Sequence, residues 1–147
     1  MITSTSNAQI KELAKLQKKS RLRDEKGIFL VEGPRMTEEI PAERIEKVYA
    51  SESFAKKNKE FLEKLQAPVE LLTDTVFAYV SDTKTPQGIL LVMEQRSCEI
   101  CEMLDLDAQG RKPLLMVLDN LQDPGNLGTI LRAGEAAGVT GVIMSHD

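Results

Sequence analysis

The sequence predicts an α/β fold: an N-terminal α/β sandwich followed by the first part of a second α/β domain. Between residues 28 and 93, apolar segments of strand length alternate with segments that carry apolar residues at helical spacing. A continuous apolar segment at residues 114–118 then begins a second strand–helix–strand pattern. Because such alternation is typical of a sheet covered by helices, we expect domains at residues 1–95 and 113–147, joined by a linker at 96–112.

The first predicted domain holds four strands and four helices. Its opening helix begins after Ser6 and Asn7, which can cap it, and ends near Lys19. Residues 21–27 are expected to form a charged turn. Residues 88–93 are apolar throughout, which predicts a central strand. The other predicted elements are strands at 28–31, 45–50 and 68–72, and helices at 35–40, from 51 to about 65, and after Thr73.

The second predicted domain places polar residues where ligands bind in α/β proteins. A turn at residues 123–126 follows the first strand and leads into a helix rich in small residues. Carboxyl ends of parallel strands and helix N-termini both favour ligands, and anions in particular. Spacing alone nevertheless favours Asn126 as the N-cap of this helix. Arg132, on the same helix, either extends its charge to solvent or faces an anion in a site.

Charge is distributed unevenly along the chain. The net charge is −4, yet the first 35 residues hold eight basic residues against four acidic ones. This basic segment includes Lys18, Lys19, Arg23 and Arg35, and it is compatible with local contacts to phosphate. A solvated helix face is the simpler interpretation of the same residues.

The composition also excludes several classes of protein. The sequence lacks any run of about 18 apolar residues, which argues against a membrane-spanning helix. The polar N-terminal segment, without an apolar signal core, predicts a cytoplasmic protein. Cys98 and Cys101 form a single CxxC pair without the four ligands of a structural zinc site. We therefore expect incidental thiols, buried or half-buried, and no metal site.

Two sets of motifs resemble a known enzyme family. The run LDNLQDPGNLGTILRAGEAAGV resembles the first signature motif of the SpoU/TrmH branch of the SPOUT RNA methyltransferases. Upstream, GIFLVEGPRM and TPQGILLVM resemble the signatures of the substrate-binding domain found in many of these enzymes. That domain is similar to a small α/β ribosomal protein that binds RNA. The resemblance implies that residues 113–147 are the first βαβ portion of an incomplete SPOUT domain, whose complete form is a trefoil knot.

The resemblance implies 2′-O-methylation of a ribose in structured RNA, ribosomal RNA in particular, with S-adenosylmethionine as the methyl donor. The family's motif asparagine and arginine fall on Asn126 and Arg132, which are therefore the expected catalytic residues. Since an arginine stays charged near pH 7, its expected role is to orient the nucleotide and stabilise developing negative charge. Glu32 matches the acid of the family's VEG signature. The expected RNA-binding residues are Lys18, Lys19, Arg23, Glu32 and Arg35.

The family's second and third motifs, which supply most of the cofactor-binding loops, are absent from these 147 residues. We therefore expect an N-terminal piece of a methyltransferase that does not methylate RNA by itself, and a homodimer for the full-length protein. A non-catalytic RNA-binding module is the alternative. A third class is a nucleotide-binding α/β protein that uses the turn at Asn126 for phosphate.

Overall fold

The computed structural model describes residues 1–96, 98–105 and 110–145. The chain divides into two compact units, Met1–Arg96 and Ser97–Asp147. Both units contain helices and strands, so the α/β class predicted from the sequence is confirmed. Parts of the predicted linker and the last two residues of the second predicted domain lie outside the described residues. The predicted domain bounds therefore stay a prediction.

A four-stranded mixed sheet organises the first unit. Its strands are β1 (Ile28–Glu32), β2 (Ile45–Ser51), β3 (Val69–Leu72) and β4 (Ile89–Glu94), in the order β1-β4-β2-β3. β4 pairs antiparallel with β1 and β2, whereas β2 and β3 are parallel. Residues 89–93 of β4 are all buried. The predicted central position of this strand is confirmed.

Within residues 1–96, six helices and one 3₁₀ turn accompany these strands. They are α1 (Ala8–Lys18), α2 (Ser20–Lys26), α3 (Pro34–Glu38), the 3₁₀ turn Ala42–Arg44, α4 (Glu52–Lys57), α5 (Lys59–Lys64) and α6 (Asp74–Val80). The side chain of Asn7 caps α1 by accepting from the N–H of Gln9 at 2.9 Å. Thr73 caps α6 in the same way through the N–H of Val76. Both caps agree with the sequence.

The prediction of a charged turn at residues 21–27 is wrong, because this segment forms most of helix α2. The guanidinium of Arg23 donates to the carbonyls of Leu16 (2.6 Å) and Gln17 (3.1 Å), near the C-terminal end of α1. These bonds satisfy carbonyls that a helix end leaves without partners, and they fix the corner between α1 and α2. No residue of α2 is buried, so apolar periodicity could not reveal this helix.

The single helix predicted from residue 51 to about 65 is wrong as well, because the chain is interrupted at Asn58. This residue has φ −128° and ψ 41°, which is not helical. Its side-chain amide donates to the carbonyl of Phe54 at 3.0 Å, as an asparagine does when it competes with helical hydrogen bonding. After the break, Leu62 and Leu65 are buried against the sheet. Helix α3 also ends two residues before the predicted end.

The two faces of the sheet bury separate apolar clusters. Side chains alternate along β4, so Leu90 and Val92 join the cluster that includes α1 and α6. The other buried residues of this strand, Ile89, Leu91 and Met93, join the cluster under α5. Helices on both faces of one sheet make the α/β sandwich that the sequence predicts.

The second unit is built around two parallel strands joined by one long helix. After the short helix α7 (Ile100–Met103), the chain forms β5 (Leu115–Leu118), α8 (Pro124–Ala136) and β6 (Gly141–Met144). β5 and β6 pair in parallel, which confirms the predicted strand–helix–strand unit. α8 approaches β5 closely at Gly134, where an added Cβ would lie 3.0 Å from Cε of Met116.

The prediction of buried or half-buried thiols is wrong, because Cys98 and Cys101 are both exposed. The short helix α7 has little apolar packing, since its first residue, Ile100, and its C-cap, Leu104, are both more than half exposed. Within the described part of the chain, every helix is too short or too polar to cross a lipid bilayer.

Gly88→Ala should destabilise the first unit more than Gly27→Ala. Both glycines have positive φ, 84° and 63°, so alanine costs about 1–2 kcal/mol in either place. At Gly88 an added Cβ would also lie 2.7 Å from Cβ of Phe54, whereas at Gly27 no described atom lies within 4 Å. Overpacking of this kind adds about 1–3 kcal/mol. Urea unfolding followed by circular dichroism should show the larger loss of unfolding free energy for Gly88→Ala. Equal losses would contradict the tight contact.

Candidate functional site

Four segments of the first unit, which include three helix starts and one loop, meet at one end of its sheet. Because β4 runs antiparallel to β1 and β2, its amino end lies beside their carboxyl ends. The N–H of Gly33 donates to the carbonyl of Ile89 at 3.0 Å, and the N–H of Ser51 donates to that of Gly88 at 2.8 Å. Parallel pairing of β2 and β3 brings the end of β3 to the same place. We call the segments at residues 33–35, 51–53, 73–74 and 81–88 the carboxyl end of the sheet.

Glu32 holds one of these loops in place. Its carboxylate accepts hydrogen bonds from the hydroxyls of Ser81 (2.6 Å) and Thr83 (2.9 Å) and from the N–H of Asp82 (3.4 Å). A carboxylate with three donors from its own chain has limited capacity for further donors, and it repels phosphate. The geometry therefore favours a loop-ordering role for Glu32, and a direct contact with RNA stays a prediction.

Exposed cations lie in the segments around Glu32. Arg35 lies in the first turn of α3, directly after β1, and Lys84 lies within the loop that Glu32 holds. Both side chains belong to exposed residues. Sequence reasoning included Arg35 but missed Lys84. The available signal was that Lys84 directly precedes the TPQG residues of the second substrate-domain motif.

A cavity of about 370 Å³ opens at the same end of the sheet. Its lining includes Ser53, Phe54, Lys57 and Asp74. The hydroxyl and the backbone N–H of Ser53 both donate to the carboxylate of Asp74, and these hydrogen bonds lower the pKa of Asp74. The lining of the cavity thus includes an ionised carboxylate and an ammonium group, and the sequence analysis named neither as a site residue.

The basic residues near the N-terminus lie at the opposite end of the sheet. Helix α2 leads into Ile28 at the start of β1, and Ile28 pairs with Glu94 at the end of β4. The rise along β1 separates the two ends by about 13 Å. Lys18 and Lys19, at the junction of α1 and α2, are exposed there. The structure therefore separates these two lysines from Arg35.

Arg23 differs from these two lysines because its guanidinium already holds the end of α1. Its hydrogen bonds to two carbonyl oxygens leave it only part-exposed. Removing its charge would disturb the corner between α1 and α2 as well as any contact with phosphate. Lys18 and Lys19 are thus the cleaner probes of the predicted basic surface.

Helix α8 carries the second group of predicted site residues. Its N-cap is Asp123, whose side chain accepts from the N–H of Gly125 at 2.8 Å. The N-cap prediction for Asn126 is therefore wrong: Pro124 occupies the first helical position, and Asn126 lies in the first turn. Asn126 is exposed, so its carboxamide projects from the start of the helix without a capping role.

Helix α8 begins close to the carboxyl ends of β5 and β6. Asn120, just after β5, has φ 52° and donates its N–H to Oγ of Ser145, just after β6, at 2.8 Å. The N–H of Ser145 in turn donates to the carbonyl of Leu118 at 3.0 Å. The polar turn that precedes α8 thus lies at the end of a parallel strand pair where ligands bind in α/β sheets.

Arg132 lies on an exposed part of α8, and its guanidinium points back toward the helix N-terminus. Nη2 donates to Oγ1 of Thr129 at 3.3 Å, and Nη1 lies 3.5 Å from the position of a Cβ on Gly128. Within residues 1–96, 98–105 and 110–145, no carboxylate forms an ion pair with Arg132. The exposed cation is therefore open to an anion from outside the chain.

Relatives of this chain by sequence are RNA methyltransferases. Residues 7–91 match the family described as MRM3-like substrate binding domain. The chain is 34% identical over 146 residues to the 23S rRNA (guanosine(2553)-2′-O)-methyltransferase RlmP of Bacillus subtilis, covering 97% of this chain and 53% of that protein. It is 33% identical over 137 residues to the mitochondrial rRNA methyltransferase 3 of Homo sapiens, covering 86% and 31%. The chain thus spans about half, or less, of the length of these relatives.

Solved structures share the fold over nearly the whole chain. An RNA 2′-O ribose methyltransferase superposes with a TM-score of 0.72 at 30% identity, covering 99% of this chain and 55% of that one. An AdoMet-bound rRNA methyltransferase from Sinorhizobium meliloti superposes with a TM-score of 0.76 at 24% identity, covering 99% and 54%. The second likeness is one of fold.

Glu32→Ala should loosen the loop at residues 81–83. The change removes an acceptor shared by three donors, and a single hydrogen bond to a charged group contributes about 1.5–3 kcal/mol to stability. Native-state hydrogen exchange of the Asp82 amide should accelerate by at least about tenfold. Glu38→Ala, an exposed change on α3, is the matched control and should leave this exchange rate unaltered. Unchanged protection in Glu32→Ala would rule out the loop-ordering role.

Proposed function

Because the chain belongs to the SpoU/TrmH family of RNA 2′-O-methyltransferases, with an MRM3-like substrate-binding domain at residues 7–91, we propose that it supplies two parts of a ribose 2′-O-methyltransferase. The first unit recognises structured RNA, ribosomal RNA in particular. The second unit supplies the opening part of the catalytic domain. The observation that carries this proposal is the continuous match to one methyltransferase through both units, over 97% of the chain.

Arg132 and Asn126 are the proposed catalytic residues of the second unit. Methyl transfer to a ribose 2′-hydroxyl requires loss of its proton to a base or to water, and negative charge develops on the oxygen. A guanidinium remains protonated near pH 7, so Arg132 cannot accept this proton. It can bind the adjacent phosphate and stabilise the developing charge, while the exposed carboxamide of Asn126 can orient the nucleotide.

S-adenosylmethionine is the proposed methyl donor of the complete protein. It supplies an electrophilic methyl group on a sulfonium centre. We assign no residue of this chain to its binding, because the second unit contributes one helix start and the ends of two strands. The 147-residue chain is accordingly proposed to recognise RNA without methylating it.

The carboxyl end of the sheet is the proposed RNA-facing surface of the first unit. Three features support it: the exposed cations Arg35 and Lys84, the loop that Glu32 holds in one conformation, and the adjacent cavity with Lys57. Positively charged side chains on a preordered loop bind phosphate at a lower entropic cost than mobile ones. Lys18 and Lys19, at the opposite end, are the second candidate surface.

A non-catalytic RNA-binding module is the alternative function. One observation favours it for the chain alone: β5 and β6 leave apolar side chains such as Val117 and Met144 69% and 51% exposed. A two-stranded sheet with so much apolar exposure is only marginally stable by itself.

The same exposed residues support the proposal that the complete protein is a homodimer with a larger sheet. A cytoplasmic location stays a prediction from the polar N-terminal segment.

Charge reversal should locate the RNA-facing end of the sheet. Arg35→Glu with Lys84→Glu should weaken binding of the chain to a structured ribosomal RNA fragment and lower the salt slope of log K by about two. Lys18→Glu with Lys19→Glu is the matched control, with the same charge change at the other end. Fluorescence anisotropy across 50–200 mM salt measures both quantities. A larger loss in the lysine pair would move the RNA surface to the α1–α2 junction.

Arg132→Ala should slow methylation by the complete protein severely while RNA affinity largely survives. Removing one preorganised donor to developing charge lowers kcat by about 10²–10³. Transfer of a labelled methyl group to RNA measures the rate, and anisotropy measures affinity. Unchanged methylation in this variant would remove Arg132 from the reaction.

Measurable transfer by the 147-residue chain would contradict the proposed division of function.

A further inference from the structure

We propose that Thr129 is a positioning residue that holds the guanidinium of Arg132 for the methyl-transfer reaction. The proposal rests on the function proposed above for Arg132. Nη2 of Arg132 donates to Oγ1 of Thr129 at 3.3 Å, and Oγ1 of Thr129 donates to the carbonyl of Gly125 at 3.1 Å. Thr129 thereby links the guanidinium to the backbone of the first turn of α8.

The chemistry of a hydroxyl explains why this residue suits the task. A hydroxyl carries one hydrogen and two lone pairs. Donation of that hydrogen to the carbonyl of Gly125 turns the lone pairs outward, where the guanidinium, which only donates, finds an acceptor. The bond to the backbone therefore fixes the direction of the bond to Arg132.

Gly128 leaves room for this conformation of the Arg132 side chain. Gly128 lies one turn before Arg132, and Nη1 of Arg132 lies 3.5 Å from the place of a Cβ on Gly128. A long side chain at residue 128 would occupy the space through which the side chain of Arg132 extends toward the helix N-terminus. Arginine side chains in helices lean toward the helix N-terminus, so the arrangement also follows the ordinary side-chain direction.

Arg132 depends on Thr129 because other restraints are weak. Arg132 is exposed, and within the described ranges no carboxylate forms an ion pair with it. An exposed arginine otherwise samples many rotamers, and ordering it at the moment of reaction would cost entropy. A hydrogen bond within its own helix orders the guanidinium before the RNA arrives, which is how preorganised charge lowers a barrier.

The first test measures the arginine in the chain itself. ¹⁵N relaxation of the Arg132 Nε–Hε group should report restricted motion in the unaltered chain and greater motion in Thr129→Val. Valine keeps the β-branched shape and nearly the helix propensity of threonine but removes the hydroxyl. Thr129→Ser keeps the hydroxyl and should retain the restricted motion. Equal mobility of Arg132 in all three chains would overturn the proposal.

The second test measures methyl transfer in the complete protein. Thr129→Val should lower kcat about fivefold, with KM for RNA and the melting temperature unchanged, and Thr129→Ser should restore kcat. A fall in kcat that accompanies a lower melting temperature and is not rescued by serine would show a merely structural role and overturn the proposal. The variant Arg132→Ala distinguishes failure of the positioning role of Thr129 from failure of the catalytic role of Arg132. If that variant is inactive while Thr129→Val is fully active, positioning by Thr129 fails and the catalytic role proposed for Arg132 stands. If Arg132→Ala is fully active, the catalytic role proposed for Arg132 fails, and positioning by Thr129 fails with it.

Discussion

Burial of the central strand β4 is the constraint on which the first unit depends. Its five apolar residues fill both faces of the sheet, so the strand cannot shift by one residue without moving its side chains to the wrong layer. Antiparallel pairing with β1 and β2 then fixes which loops meet. Gly88, where an added Cβ would meet Phe54 and Ser51, lies directly before this strand. Packing in the core thus determines the composition of the surface proposed to recognise RNA.

The same sheet explains why charges that are close in sequence are apart in space. The basic residues of the first 35 positions look like one segment, but the strand β1 runs through it. Lys18 and Lys19 lie before the strand begins, and Arg35 lies after it ends. A phosphate backbone could follow either end of the sheet, and each end presents its own set of cations. Charge density along a sequence therefore overstates charge density on a surface whenever a strand intervenes.

Elements with an apolar pattern could be predicted, and contacts made by polar side chains could not. All six strands of the described chain, the central place of β4 and the caps at Asn7 and Thr73 follow from local sequence. Helix α2 buries no residue, so it carries no apolar signal. Asp123 and Asn126 are both good caps three residues apart, and only the fold selects between them. Partners such as Glu32 and Ser81 are 49 residues apart, a distance no periodicity reports.

The contacts of Arg132 clarify what the second unit can bring to a reaction by itself. Its described neighbours, Thr129 and Gly128, lie within one turn of the same helix, and Thr129 is tied in turn to Gly125. The conformation of the guanidinium therefore needs nothing outside α8. The strands of the second unit, in contrast, are incompletely covered, because Val117 is 69% exposed. An oriented cation can thus be built from thirteen residues of helix, whereas a closed site for a methyl donor requires apolar cover that two strands do not supply. This difference is the physical reason for the proposal that this chain contributes RNA contact and charge placement, and that methyl transfer needs the complete protein.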